Sequence, residues 1–186
     1  MNMRTIIING SPRINGDTAA LIAELRRYLD GEVIEISAYR SNISPCVDCR
    51  ACWEKFGCVI DDDMSILYSD DFGNVVIASP IYISNLPGQI LNIASRFQAY
   101  YAAQYFLKQP PKLKPKRAGL ILVGGGDGSI NDAVMTSAWM FKRLNASGYK
   151  EHTALSLNTN ILPTVDDSAA LGAVREIAEW LNDKER

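Results

Sequence analysis

Short blocks of consecutive apolar, largely β-branched residues alternate along this chain with stretches in which apolar residues recur every three or four positions. Thr5 to Ile8, Asn74 to Ser79 and Ala118 to Val123 are the clearest blocks. Runs of this kind suit strands buried on both faces. Glu32 to Ser37 alternates through Val33, Ile34 and Ile36, and His152 to Leu157 completes a set of five strand patterns. Between them the period changes. From Thr18, residues Leu21, Ile22, Leu25 and Leu29 share one helical face, and Gly31 stops the helix. Asp61 to Asp63 predict a cap for a helix through Asp70. A long helix is predicted over Gly88 to Leu107, another from about Ser129 to Ser147 with Gly148 as its stop, and a last over Asp166 to Asn182.

Strands that alternate with helices imply a parallel sheet covered on both faces. Five of each predict a doubly wound α/β domain with strand order 2-1-3-4-5. With 186 residues and neither repeat nor linker, residues 1–186 read as one domain. A cysteine-rich insertion at about 44–60 breaks both periodicities.

Composition changes this picture little. Hydrophobic residues make up 47% and charged residues 22%, with net charge −2, so no broad basic surface is available for nucleic acid. Lys112, Lys114, Lys116 and Arg117 are interleaved with Pro110, Pro111 and Pro115 and read as a solvated connector. No apolar run approaches the roughly 20 residues that span a bilayer. Met1 to Ile8 enters a strand pattern without the marks of a signal peptide, so a cytoplasmic protein is expected.

In such a sheet, ligands sit beyond the C-terminal ends of the strands at the topological switch. Three loops fall there. Gly10-Ser11-Pro12-Arg13-Ile14-Asn15-Gly16-Asp17-Thr18 leaves a strand and enters a helix. Unpaired N–H groups at a helix start attract phosphate, Arg13 offers a charged fork, and Ser11 and Thr18 offer hydroxyls. The second loop, Pro80-Ile81-Tyr82-Ile83-Ser84, carries an aromatic and a stiffening proline that suit a planar ring. The third, from Gly124 and Gly125 to Ser129, allows close backbone approach.

The pattern Gly-Ser-x-Arg-x-x-Gly-x-Thr after the first strand resembles the FMN-phosphate loop of the NADPH-dependent FMN reductase family. Asp17 stands where that family usually has Asn. The Ser79-Pro80-Ile81-Tyr82 segment is similar to the family's loop along the flavin ring. That loop leads into a helix ending in an acidic-Arg pair, here Ser95-Arg96. The resemblance implies a flavodoxin-like fold and an oxidoreductase with NAD(P)H as co-substrate. It implies FMN held by Ser11, Arg13, Gly16, Asp17 and Thr18 at the phosphate. Pro80, Ile81, Tyr82 and Ser84 would lie along the ring, with Gly124 and Gly125 at its far edge. No catalytic side chain is needed, since the flavin carries the chemistry. The expected partners are a small-molecule donor and an acceptor such as a quinone or flavin.

Cys46, Cys49, Cys52 and Cys58 have the spacing Cys-x2-Cys-x2-Cys-x5-Cys. Such a cluster in a reducing compartment points to metal or redox chemistry. Three readings stand open: a ferredoxin-type [4Fe-4S] site, a zinc site, or free thiols. Iron–sulfur flavoproteins have a compact cysteine motif in this place, and that resemblance implies a one-electron carrier as an alternative function. A non-redox phosphate-binding module is a third. His152, the only histidine, reads as a surface or capping residue. Tyr100, Tyr101, Tyr105 and Phe106 read as core, or as the anchor of a homodimer or homotetramer. Trp139 and Met140 read as core helix.

Overall fold

The computed structural model describes residues 4–183; the start at Met1 to Met3 that bears on a leader lies outside them. The elements follow as β1 (Arg4–Asn9), α1 (Asp17–Tyr28), β2 (Glu32–Ser37), α2 (Ser65–Tyr68), β3 (Asn74–Pro80), α3 (Gly88–Arg96), α4 (Gln98–Tyr105), β4 (Lys116–Val123), α5 (Asn131–Arg143), β5 (Ala146–Ser147), β6 (Thr153–Ser156) and α6 (Ser168–Asn182). The sheet is parallel, with β2, β1, β3 and β4 in that order. Both β5 and β6 pair with β4 on its outer side, β5 at Lys116 and Arg117 and β6 from Leu120 to Val123. The strand expected fifth is therefore β6, and the two-residue β5 is an addition that the periodicity did not reveal.

Strand parity divides the core. Ile6, Ile8, Val75, Ile77, Leu120 and Leu122 point to the face covered by α3, α4 and α5. Ile7, Val76, Ala78, Ile121 and Val123 point to the face covered by α1 and α6. The continuous apolar runs arise because neither face meets water.

Five expectations change. The helix expected as far as Ser147 ends at Arg143, and Ala146–Ser147 pairs with β4 instead. The helix expected through Asp70 is only α2, because Asp62 and Asp63 spend their carboxylates on Met64 and Asn42 N–H groups. The long helix after the second loop breaks at Phe97. Tyr100 N–H bonds Phe97 O at 3.0 Å, so Arg96 O is left to accept the Tyr68 hydroxyl at 2.7 Å. Lys116 and Arg117 are no solvated connector: both are buried at the start of β4, where Lys116 pairs with Asp70 and Arg117 with Asp183. Trp139 is 37% exposed, whereas Met140 is buried as expected. His152 stacks on Trp180 with ring centres 4.6 Å apart. No helix among the described residues is long and apolar enough to cross a membrane.

Candidate functional site

Three backbone bonds of 2.8 Å extend the sheet past its strand ends: Gly10 N–H to Ala78 O, Ile81 N–H to Val123 O, and Gly124 N–H to Ser156 O. They set the loops after β1, β3, β4 and β6 side by side along one edge. Gly10 is required for this approach. A Cβ there would overlap Ser79 Oγ and stand 2.9 Å from Ile90 Cγ1.

The loop after β1 is held by its own side chains. Asn9 Oδ1 accepts from Ser11 N–H at 2.8 Å, and Ser11 Oγ accepts from Arg13 N–H at 3.1 Å. Gly16 then stands at the N-cap of α1 and supplies no side-chain cap. The Asp17 carboxylate, which a phosphate would repel, is turned away and accepts the Thr164 N–H at 3.0 Å. The first turn of α1 thus offers its backbone N–H groups and positive dipole end to whatever lies in front of it. Thr18 is buried at that wall and Arg13 is exposed beside it.

The loop after β3 makes a tight reversal. Tyr82 and Asn85 exchange backbone bonds of 2.8 and 3.0 Å, with Ile83 at φ 52° and Ser84 at φ 59°. Two positive φ values define a mirror-image hairpin turn, a conformation that favours Asn and Gly and strains a β-branched residue such as Ile83. After β4, a Cβ on Gly125 would stand 2.7 Å from Asn160 Nδ2.

Two adjoining cavities result. One, of about 220 Å³, is walled by Ser11, Arg13, Gly16, Asp17 and Thr18 on one side and by Pro80, Ile81 and Tyr82 on the other. The next, of about 340 Å³, runs past Ser84 along Gly124 to Gly128. Ile81, Gly124 and Gly125 line both. All eleven residues that the family resemblance assigns to FMN thus meet at one edge. The sequence reading missed the loop after β6: Thr159 and Asn160 line the first cavity and Leu157 the second. The rule that ligands meet the strand ends would have found it, because that loop also follows a parallel strand.

The cysteines form a separate site on the α3–α4 face. Asp48 at φ 49° and Arg50 at φ 63° reverse the chain on both sides of Cys49, and a single 3₁₀ turn, Ala51–Trp53, carries Cys52. All four thiols line one narrow cleft with Val47, Trp53, Val59 and Ala99. Burial pushes the Cys52 thiol up, and the other three cysteines add to the shift. Among the described residues no three His, Cys, Asp or Glu side chains form a group that could hold one metal ion. A zinc site would need its sulfurs within about 3.8 Å of one another, from tetrahedral Zn–S bonds of ~2.3 Å. Trp53 stacks on Phe106 at 4.0 Å, so α4 and its aromatic residues form the cleft's flank.

Both ends of the cysteine loop are clasped by one buried ion pair. Arg96 Nη1 donates to Ser44 O at 2.8 Å and to Asp62 Oδ2 at 2.7 Å. Nη2 donates to Ile60 O and Asp62 Oδ1, each at 3.2 Å. Asp62 also accepts the Ser44 and Met64 N–H groups. Burial alone would raise the Asp62 carboxyl, but Arg96 and the two N–H donors outweigh it and hold the group below the usual carboxylate value. Burial likewise lowers the Arg96 guanidinium, and Asp62 with the nearby Cys58 more than restores it, so it stays charged. Burial raises the Tyr68 and Tyr100 phenols. Their hydroxyls donate to Arg96 O and Leu67 O, which fixes α3 and α4 against α2.

Fold and loops together define a flavodoxin-like α/β protein with an anion-receptive loop and a glycine-lined slot at its topological switch. The chain belongs to the NADPH-dependent FMN reductase family, which it matches over residues 3–179. It is 27% identical to an iron-sulfur flavoprotein of Methanosarcina thermophila, over 97% of this chain and 94% of that protein. It is 32% identical to one of Methanocaldococcus jannaschii, over 67% of this chain and 63% of that one. Among solved structures it resembles an FMN-dependent NADH-azoreductase of Bacillus anthracis in complex with FMN, with TM-score 0.71 and 20% identity over 98% of this chain and all of that one. An NAD(P)H:quinone oxidoreductase of Methanothermobacter marburgensis gives TM-score 0.71 at 12% identity, with both chains fully covered. These structural likenesses extend to the fold.

Proposed function

We propose that the protein is an FMN-dependent oxidoreductase that takes electrons from NAD(P)H and passes them to a small acceptor such as a quinone or a flavin. The observation that carries this reading is the uncapped start of α1, which opens beside Arg13 and Thr18 into a cleft continuous with the glycine slot. Bound FMN supplies the redox chemistry. The chain supplies binding and orientation. Its phosphate would meet the α1 backbone N–H groups, the Arg13 guanidinium and the Ser11 and Thr18 hydroxyls, with Gly16 allowing close approach. Asp17 contributes its backbone only, since its carboxylate is held by Thr164. Pro80, Ile81, Tyr82 and Ser84 would flank the ring, and Gly124 and Gly125 would bring backbone to its opposite edge. An absorption spectrum of anaerobically purified protein, followed by NADH and NADPH oxidation with a quinone, tests the proposal. Flavin peaks and acceptor-dependent turnover are expected. A colourless protein that takes up no added FMN contradicts it and favours the non-redox phosphate-binding module.

A second reading concerns the cysteines. Four cysteines share the lining of one cleft, the donor set that iron–sulfur clusters and structural zinc both use. The curated relatives named above as iron-sulfur flavoproteins add weight. We propose that Cys46, Cys49, Cys52 and Cys58 hold a [4Fe-4S] cluster that handles electrons singly. The free space between them is about 20 Å³, so loading would move the loop's exposed outer wall, which includes Cys46 and Cys49. The nine residues of α3, about 13 Å at 1.5 Å per residue, run from the ring loop to this cleft. Iron and acid-labile sulfide assays on the same preparation test it. Near-stoichiometric iron and sulfide support the cluster, and their absence after anaerobic reconstitution overturns it.

A further inference from the structure

The loop after β1 is shaped from behind by a residue that does not line the cleft. Asn9 ends β1 at 3% exposure, and both ends of its amide are bonded. Nδ2 donates to Glu35 Oε1 at 2.9 Å, and Oδ1 accepts the Ser11 N–H at 2.8 Å. Glu35 stands on the edge strand β2 opposite Ile7, on the face that α1 covers. Arg26 Nη2, from the last turn of α1, donates to Glu35 Oε2 at 3.0 Å, and Arg40 Nη2 lies 3.8 Å from Oε1. A carboxylate can only accept. Turning the Asn9 amide over would set oxygen against oxygen at Glu35 and N–H against N–H at Ser11, and both bonds would be lost. Glu35 thus dictates which end of the amide Ser11 meets. One step further, Ser11 Oγ accepts the Arg13 N–H at 3.1 Å, while the nearest acceptor for its own proton, Arg13 O, stands at 3.3 Å. Ser11 and Arg13 line the cavity in front of α1.

We infer that Glu35 is a positioning residue for flavin phosphate: by fixing the Asn9 amide, it sets the Ser11 backbone and hydroxyl in the conformation that receives the anion. This rests on the reading of the strand edge as an FMN site. The charge of Glu35, taken alone, acts with the opposite sign. A carboxylate behind an anion site repels the ligand, so removing that charge and nothing else would tighten phosphate binding. Removing the acceptor would loosen it, because the Asn9 amide would no longer be held to one orientation. Glutamine and leucine separate the two contributions. Both are uncharged, but glutamine keeps an acceptor oxygen and leucine has none.

The test titrates flavin-free protein with FMN and with riboflavin, and compares the ratio of the two dissociation constants in the native protein, Glu35→Gln and Glu35→Leu. Glu35→Gln should keep the native preference for FMN or increase it. Glu35→Leu should lose about ten-fold of that preference, with riboflavin affinity near native. A residue that served stability alone would leave the ratio unmoved. Asn9→Ala, which leaves Glu35 and its arginines in place, should show the same loss and decides the matter if Glu35→Leu fails to fold. Equal ratios in Glu35→Leu and Glu35→Gln, or a native ratio in Asn9→Ala, overturn the inference. So does a Ser11 amide proton that exchanges freely with solvent in the native flavin-free protein, a result that needs no variant. Where the native protein prefers FMN, each of these results leaves the FMN reading standing. A native protein that binds neither flavin, or both equally, removes that reading and this inference together.

Discussion

Replacing Asp62 by Asn isolates the pair that clasps the cysteine loop. The carboxylate accepts four bonds, from Arg96 Nη1 at 2.7 Å, Arg96 Nη2 at 3.2 Å, Ser44 N–H at 3.0 Å and Met64 N–H at 3.1 Å. The two side chains are 1% and 2% exposed, so solvent screens the pair little. Neutralising one partner of a buried pair leaves the other charge without compensation and costs about 3–5 kcal/mol. For a domain of this length that lowers Tm by roughly 6–20 °C. Urea unfolding at pH 7 reads the loss directly, with an unchanged m-value if only stability has moved. The pH dependence has a definite sign. The folded-state Asp62 pKa lies below the ordinary value, so its contribution is fully present above the unfolded value of ~3.9 and disappears as pH falls through the lower folded value. The deficit of Asp62→Asn should therefore be constant near neutrality and shrink below about pH 3.9. A loss under about 1 kcal/mol at pH 7 would refute the claim that this pair organises the loop.

Other substitutions probe the strand edge. Arg13→Ala should weaken FMN binding about 10- to 100-fold, the worth of a charge-assisted bond of ~1.5–3 kcal/mol, and leave stability near native, as fluorescence titration and thermal melting would report. Gly10→Ala places a methyl against Ser79 and Ile90 and should cost about 1–3 kcal/mol in chemical denaturation. Ile83→Gly should stabilise the fold by up to about 1 kcal/mol, because it relieves a β-branched residue held at φ 52° with its side chain 99% exposed; a lowered Tm would show that the turn carries no strain.

The sheet was legible because burial on both faces writes itself as uninterrupted β-branched runs, and strands β1, β2, β3 and β4 fall within two residues of their predicted bounds. Tertiary choices were not legible. Nothing local in Gly88 to Leu107 marks the break at Phe97, which depends on a hydroxyl from Tyr68, 28 residues away. Lys116 and Arg117 read as solvated beside their prolines because their partners, Asp70 and Asp183, are distant in sequence. At the site, Asp17 looked like a liability for phosphate until Thr164 supplied a partner 147 residues downstream. The loop after β6 escaped notice because Asn158-Thr159-Asn160 carries no motif, only a position. In the sequence Arg96 stands out only as the second half of a family pair. Its place at the base of the cysteine loop follows from α3 meeting that loop, which no spacing in the sequence encodes.

The proposed FMN site at the edge beyond β1, β3 and β4 holds the phosphate as well as the ring. Fluorescence titration of flavin-free protein with FMN and, in parallel, with riboflavin separates the two contributions. Saturable quenching at one FMN per chain is expected, with riboflavin bound more weakly by at least about 100-fold, since the loop's charge-assisted bonds have no partner there. Equal affinity for the two flavins, or no binding of either, would contradict it.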